Sequence, residues 1–328
     1  MVVLKSVIVL FSLCVSAACY AQAKKAPSAN KPAKGKAGVE VNAENTLLWE
    51  ISGKGLKQPS YLYGTMHIVC SEDAKMSDGL KSVINKSQQV FFEVDMDNME
   101  EMMGALKFAR MNNGIKISDL VSPTDYEKIE AYFKNNKSIV PFSMMSRFKP
   151  YFITAIIGEG IMACKEKSSV EQIIMKEARD NDKDVFGLET IEFQASIFDS
   201  IPYEKQAQDL VNYVDSIDKY KQTTLELVDL YRKQDVNKMD ELITKSDPGM
   251  MQYMDVLLYD RNKRWAAQMP EQMLEKSTLF AVGAGHLGGE NGVINLLRKE
   301  GYTVKPLDNS KFSEYDKSKK ESAMLAEK

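Results

Sequence analysis

The sequence predicts an α/β domain with a mainly parallel central sheet, flanking helices and a large helical insertion. Three observations carry this. Short apolar runs stop at polar groups, amphipathic stretches separate them, and the middle of the chain holds more helical pattern than a plain βα alternation needs.

Residues 1–23 carry export features. Lys5 supplies a positive start, Val7 to Val15 form an apolar core too short to span a bilayer, and Ala21-Gln22-Ala23 offers a cleavage site. Ser16-Ala17-Ala18-Cys19 loosely matches a lipobox, so lipidation of Cys19 and attachment to the outer membrane is the competing route. Both routes predict an exported protein of a Gram-negative-type envelope, in the periplasm or at the outer membrane. Residues 24–43, rich in Lys, Ala, Pro and Gly, cannot bury a core and read as a disordered tether. The folded domain is expected over 44–309, its insertion over about 97–270, and a charged tail over 310–328.

Within the domain, Thr46 to Ile51, a Gly-Lys-Gly turn and Ser60 to Tyr63 predict a hairpin. Gln89 to Val94, Asp184 to Leu188 and Thr278 to Val282 predict buried strands, with an edge strand over Tyr302 to Val304. Helical periodicity predicts helices over 78–87, 98–112, 124–135, 142–163, 170–180, 201–234, 237–244, 256–268 and 291–300.

The composition is that of a soluble globular chain, 44% hydrophobic and 27% charged. A net charge of −3 and no basic stripe with interleaved aromatics argue against nucleic acid as a partner. H-E-x-x-H, a G-x-S-x-G elbow and a P-loop are all absent from the sequence. Beyond the leader the cysteines are Cys70 and Cys164; export permits a disulfide between them, two buried thiols are the alternative, and neither has zinc-site spacing.

Functional groups in a parallel sheet gather beyond the C-terminal strand ends. Those ends read Gly64-Thr65-Met66-His67, Glu93-Val94-Asp95, Gly187-Leu188-Glu189-Thr190 and Gly283-Ala284-Gly285-His286. The chain has two histidines, and both follow a glycine by three residues. Glycine at that offset lets the backbone turn sharply off the strand and leaves room for a ligand, and imidazole serves as metal ligand or proton carrier. Of Glu93 and Asp95, which share a strand face, Glu93 is the expected site member. Two imidazoles and a carboxylate suit a His₂Glu metal centre with an open position, or metal-free general-base catalysis with Glu orienting a histidine. Glu189 is expected to support a histidine, and Arg147 to bind a substrate carboxylate in a bidentate fashion.

The runs LLWEISGKGLKQPSYLYGTMHI, VFFEVD, VFGLETIEFQ and FAVGAGHLGGENGVINLLRKEGYTV resemble the TraB/GumN family, over about residues 45–308. Its marks are two G-x-x-H motifs and an acidic residue after the second core strand, here His67, His286 and Glu93; GLET followed by Gln194 is a further one. Tiki-type metalloproteases look like relatives, and erythromycin esterase and ChaN-like proteins more distant ones in fold. The resemblance implies an α/β core with a helical insertion, a divalent ion of manganese or cobalt type (zinc being an alternative), and hydrolysis of a peptide or small-molecule substrate by a peptidase or amidase. It also leaves open a metal- or ligand-binding envelope protein without turnover.

Overall fold

A computed structural model describes residues 45–136, 141–162, 164–246 and 252–312. The leader, the tether, Cys19 and the tail from residue 313 lie outside the described residues.

The strands are β1 (Leu48–Ser52), β2 (Ser60–Thr65), β3 (Val69–Cys70), β4 (Gln89–Val94), β5 (Lys167–Ser168), β6 (Asp184–Glu189), β7 (Thr278–Gly283) and β8 (Thr303–Pro306). Six form one sheet in the order β6-β4-β7-β2-β1-β8. β2, β7, β4 and β6 run parallel, and β1 joins them antiparallel to both β2 and β8. The hairpin, the core strands and the edge strand expected from the sequence are therefore present, but β6, expected as a buried run, lies at the sheet's other edge with Leu188 alone among its residues buried. β2 and β4 are buried at every position, as expected of parallel strands covered on both faces. The short β3 pairs with β5 in a separate two-stranded sheet that the sequence did not signal, two residues per strand being too few for a pattern.

The helices are α1 (Asp78–Lys86), α2 (Met99–Phe108), α3 (Pro123–Asn135), α4 (Phe142–Met145), α5 (Pro150–Ile161), α6 (Val170–Asp180), α7 (Ile191–Asp199), α8 (Tyr203–Asp215), α9 (Ile217–Arg232), α10 (Val236–Ser246), α11 (Asp260–Glu275) and α12 (Val293–Lys299). Side-chain caps start several of them. The side chains of Ser77, Ser122, Ser169 and Thr190 accept from the backbone N–H of Leu80, Asp125, Gln172 and Phe193. The helix-rich region is two stretches, one on each side of β6.

Three helices differ from expectation. The helix predicted over 142–163 breaks into α4 and α5, because Lys149 precedes Pro150 and takes an extended conformation. The one predicted over 201–234 breaks at Ser216, with φ −119° and ψ 28°, into α8 and α9. The one predicted over 256–268 opens as a π-helical turn, Asp255–Tyr259, and runs on through Pro270. Trp265, Met269 and Met273, one turn apart and fully buried, hold that register across the hydrogen bond the proline removes. α7 had no expected counterpart.

A disulfide joins Cys70 to Cys164, resolving the two alternatives. It ties β3, just after His67, to the segment that leads through β5 into α6.

Candidate active site

β2, β4 and β7 end side by side, so the residues at their ends share one edge of the sheet. His67 follows β2, Glu93 is the penultimate residue of β4, and His286 closes a 3₁₀ turn, Ala284–His286, directly after β7. Nε2 of His67 lies 3.9 Å from Oε1 of Glu93, and Nε2 of His286 lies 3.8 Å from the same oxygen.

Each imidazole is held from behind. Nδ1 of His67 is 2.6 Å from Oε1 of Glu171 on α6. Nδ1 of His286 is 2.6 Å from Oδ1 of Asn262 on α11. Both neighbours are acceptors, an arrangement that favours the Nδ1–H tautomer of each neutral ring and leaves Nε2 on the Glu93 side, where that of His286 also lies 3.3 Å from Arg261 Nη1. The indole of Trp265 packs on the His286 ring with centroids 4.4 Å apart.

Arg261 organises the carboxylates. Its Nη2 donates to Oε2 of Glu93 at 2.7 Å and to Oε2 of Glu189 at 2.9 Å, and its Nη1 lies 3.3 Å from Nε2 of His286. Gln194 Nε2 donates to Oε2 of Glu93 at 3.2 Å and of Glu189 at 3.3 Å. Gly283 N–H donates to Oε1 of Glu93 at 2.9 Å. One oxygen of Glu93 is thus engaged by Arg261 and Gln194, and the other faces the histidines.

The charges follow from this arrangement. Burial alone would raise the Glu93 carboxyl, but Arg261, then the two imidazoles and the Gly283 N–H, hold it down at about 2. Burial pushes His286 down to about 3, the nearby Arg261 adding to it against the pull of Glu93. Burial also opposes protonation of His67, but Glu171 outweighs it and the pKa is raised. Glu93, Glu171 and Glu189 place three buried carboxylates against one buried guanidinium, Arg261, while Arg264 reaches Glu189 from a half-exposed position. The balance leaves a negative surplus that a protonated His67 or a bound cation offsets.

The two motif glycines serve by lacking a side chain rather than by turning the chain. Gly283 has an ordinary φ of −52°. A Cβ there would stand 3.1 Å from Oε1 of Glu93 and 3.7 Å from Nε2 of His67. A Cβ on Gly64 would meet Leu287 Cδ1 at 2.8 Å and the Ala284 Cβ at 3.1 Å, so the first motif makes room for the turn of the second.

The donor set suits a divalent transition metal: two neutral imidazole nitrogens and one carboxylate oxygen face one another beside Gly283, each ring fixed by an acceptor on its far side. The two imidazole nitrogens have to move closer together to share an ion. Among the described residues, the three-residue donor group closed to within 4.8 Å is Cys70, Glu72 and Asp73, whose cysteine is in the disulfide. The His67, Glu93 and His286 donors are not closed to that distance, whereas two nitrogens on one ion stand at most about 4.2 Å apart.

The sequence model of the TraB/PrgY/gumN family matches residues 47–306. The chain belongs to this family. It is similar to Metalloprotease TIKI2 of Danio rerio, 21% identical over 313 residues that cover 79% of this chain and 60% of that protein. It is also similar to Metalloprotease TIKI1 of Homo sapiens, 22% identical over 352 residues covering 90% and 69% of the two chains. The chain spans about three-fifths of the length of the Danio rerio relatives it matches. No solved structure matches it.

In this TraB/PrgY/gumN member the structure brings His67, Glu93, His286, Glu189, Gln194, Gly64 and Gly283 together. Thr65 is buried at the end of β2 beside them. Gly285 instead meets α10, where a Cβ would reach Ile243 Cδ1 at 2.9 Å. Asp95 turns into a cleft beside β6. Arg147 is not among the residues brought to this group: it is exposed on the turn between α4 and α5, its carbonyl accepting from Met111 N and its Nη1 beside Gly114. The bidentate arginine contact within the group is made by Arg261, whose Nε and Nη2 donate to the protein's own Glu189.

Sequence reasoning missed Glu171, Arg261 and Asn262. Glu171 reads as an ordinary first-turn acid after the Ser169 cap. Arg261 and Asn262 sit in the charged run Asp260-Arg261-Asn262-Lys263-Arg264, where a buried arginine looks like its exposed neighbours. The available signal was their placement one turn before Trp265 and Ala266, on the buried stripe of α11.

Proposed function

We propose that the protein is an exported metal-dependent peptidase. The observation that carries this reading is the presentation of two backed imidazole Nε2 atoms to one carboxylate oxygen. The names of the Tiki relatives support it.

Nε2 of His67, Oε1 of Glu93 and Nε2 of His286 would hold a divalent ion of manganese, cobalt or zinc type. When bound, such an ion polarises a substrate carbonyl and lowers the pKa of a water molecule. Glu171 and Asn262 keep the Nδ1 protons in place, so neither ring turns away. Arg261 and Gln194 hold Glu93 by its far oxygen and keep it ionised. Trp265 seals the His286 side from water, while His67, its side chain 14% exposed, marks the side open to substrate. Export rests on the leader sequence and accords with the disulfide, a bond of oxidising compartments.

The test is cleavage of an unstructured fluorogenic peptide pool by chelated protein before and after Mn²⁺, Co²⁺ or Zn²⁺ is restored. Activity that returns with an ion and is lost in Glu93→Gln supports the reading. Full activity in chelator overturns it and favours a second reading, in which the buried Glu171–His67 pair acts as a metal-free general base. The observation behind that alternative is Arg261, which already supplies a cation beside His286 and Glu93.

A further inference from the structure

α9 ends against the strand that leads to His67. It closes with the Gln234 N–H on the Tyr231 carbonyl at 2.9 Å and the Asp235 N–H on the Leu230 carbonyl at 3.1 Å, and Gln234 itself has a φ of 57°. Glycine is the usual residue at this left-handed closing position, because a Cβ is strained there. Among the described residues four non-glycine residues have a positive φ, and of these Gln234 alone is buried. Its side chain accounts for the exception. Oε1 accepts from Leu47 N–H at 3.1 Å and from Asn309 Nδ2 at 2.7 Å, and Nε2 donates to the Asn309 carbonyl at 3.2 Å. Leu47 precedes β1 and continues the register in which Leu48 faces Tyr63, so it stands opposite Gly64, whose N–H donates to its carbonyl at 2.8 Å. An antiparallel ladder would add the reciprocal bond from Leu47 N–H to the Gly64 carbonyl. Here Leu47 N–H turns to Gln234, and the Gly64 carbonyl takes the buried Tyr231 hydroxyl at 3.1 Å. Burial, then the nearby Tyr63 and Glu171, raises that phenol well above its ordinary pKa, so its proton stays to donate. The next residue, Arg232, grips the far end of the same segment, its Nε and Nη2 donating to the two oxygens of Asp73 at 2.8 and 2.6 Å.

We propose that Tyr231 and Gln234 are positioning residues for His67. Between them they take over the last ladder bond of β1 and β2. The placement of Gly64, three residues before His67, is therefore set by α9 rather than by the neighbouring strand. Thr65 pairs with Gly283 of β7, so a shift at the end of β2 alters where His67 stands relative to Glu93 and His286. The demand is tight, since two nitrogens on one ion stand at most about 4.2 Å apart. Gln234 keeps a conformation that glycine would hold with less strain, and what the chain gains is the side-chain bond to Leu47. Both residues act through the main chain that carries His67. The consequence for metal binding rests on the metal-centre reading; the placement of the ring does not.

The chain has two histidines, so the ring can be read directly. Imidazole ¹H–¹⁵N spectra are recorded on the full chain, labelled with ¹⁵N-histidine and held in chelator, with His286→Gln assigning the two sets of signals. Co²⁺ affinity and the visible Co²⁺ spectrum are then measured on the same proteins. Tyr231→Phe and Gln234→Gly are the variants; Tyr213→Phe, at a buried tyrosine of α8 stacked on Tyr220, is the control. Both variants shift the His67 signals and leave those of His286 in place, and both weaken Co²⁺ binding about tenfold and change its spectrum. Tyr213→Phe changes none of these. Gln234→Gly also relieves the left-handed backbone, so a role in closing α9 alone predicts an unmoved His67 ring. Circular dichroism checks each fold, and either folded variant decides. Unmoved His67 signals overturn the proposal whatever cobalt does, and so does Co²⁺ affinity equal to that of a wild type that binds it. A wild type that takes no Co²⁺ removes the metal-centre reading, and the His67 signals then decide the proposal alone.

Discussion

Nδ1 of His67 lies 2.6 Å from Oε1 of Glu171, so a carboxylate on α6 decides which nitrogen of the first motif histidine faces Glu93. Removing that acceptor frees the ring without touching the donor set. Glu171→Ala is expected to weaken Mn²⁺ or Zn²⁺ binding about 10- to 100-fold, measured by titration calorimetry. Unchanged affinity would show that Glu171 does not position the ring.

Among the described residues, Arg261 is the sole buried positive partner that Glu93 and Glu189 share, and its loss leaves two carboxylates buried against each other. Arg261→Met is expected to destabilise the fold by about 3–5 kcal/mol in urea denaturation. Arg261→Lys recovers only part of this, because an ammonium group lacks the planar fork that spans both acids. A melt unchanged by Arg261→Met would contradict the description of this network.

The two motif glycines should fail differently when each is given a methyl group. Gly64→Ala pushes into Leu287 and Ala284 and is expected to cost about 1–3 kcal/mol of stability. Gly283→Ala sets its Cβ against Glu93 Oε1, so metal binding and turnover fall with little change in the melt. Equal stability losses would mean that both glycines are simply packing positions.

The hairpin, the core strands and the three central site residues were legible because each strand is a continuous apolar run that stops at a polar group. The glycine before each histidine was legible too, for the room it leaves and not for a sharp turn: both make room for a neighbour, and Gly283 has a negative φ. Glu171, Arg261 and Asn262 were not legible, since helix periodicity marks a buried stripe without telling a buried charge from an exposed one beside it. Arg147 was chosen for its chemistry alone and lies on the surface. The helix breaks at Ser216 and before Pro150 went unread because apolar periodicity continues across both.

Metal-free protein should lose stability on acidification in a defined window. His286 titrates near 3 in the fold and near 6.5 when unfolded, so between those values the unfolded chain binds a proton that the folded site refuses. Stability therefore falls with pH from about 6.5 to about 3, with a slope approaching 1.4 kcal/mol per unit from this one group. Glu93, depressed to about 2, adds a loss below about 4.3. His67 has the opposite sign: its raised pKa contributes stability below about 6.5 that disappears as pH rises through the folded value. Urea denaturation of His286→Gln should show a flatter curve between pH 6.5 and 4.5; an identical curve would contradict the buried neutral imidazole.

The Cys70–Cys164 bond closes a separation of 94 residues and links the elements that carry His67 and Glu171. Cys70→Ser with Cys164→Ser is expected to cost up to about 4–5 kcal/mol and to weaken metal binding as well. Full retention of both would separate the disulfide from the site.

The central claim is that His67, Glu93 and His286 form one metal centre, and elemental analysis of the purified protein tests it most directly. Wild type and His67→Ala/His286→Ala protein are incubated with Mn²⁺, Co²⁺ and Zn²⁺, desalted and assayed for bound metal. The account predicts one ion per wild-type chain for at least one metal, lost in the double variant with its fold intact by circular dichroism. No retained metal in the wild type, or equal metal in both proteins, would contradict it.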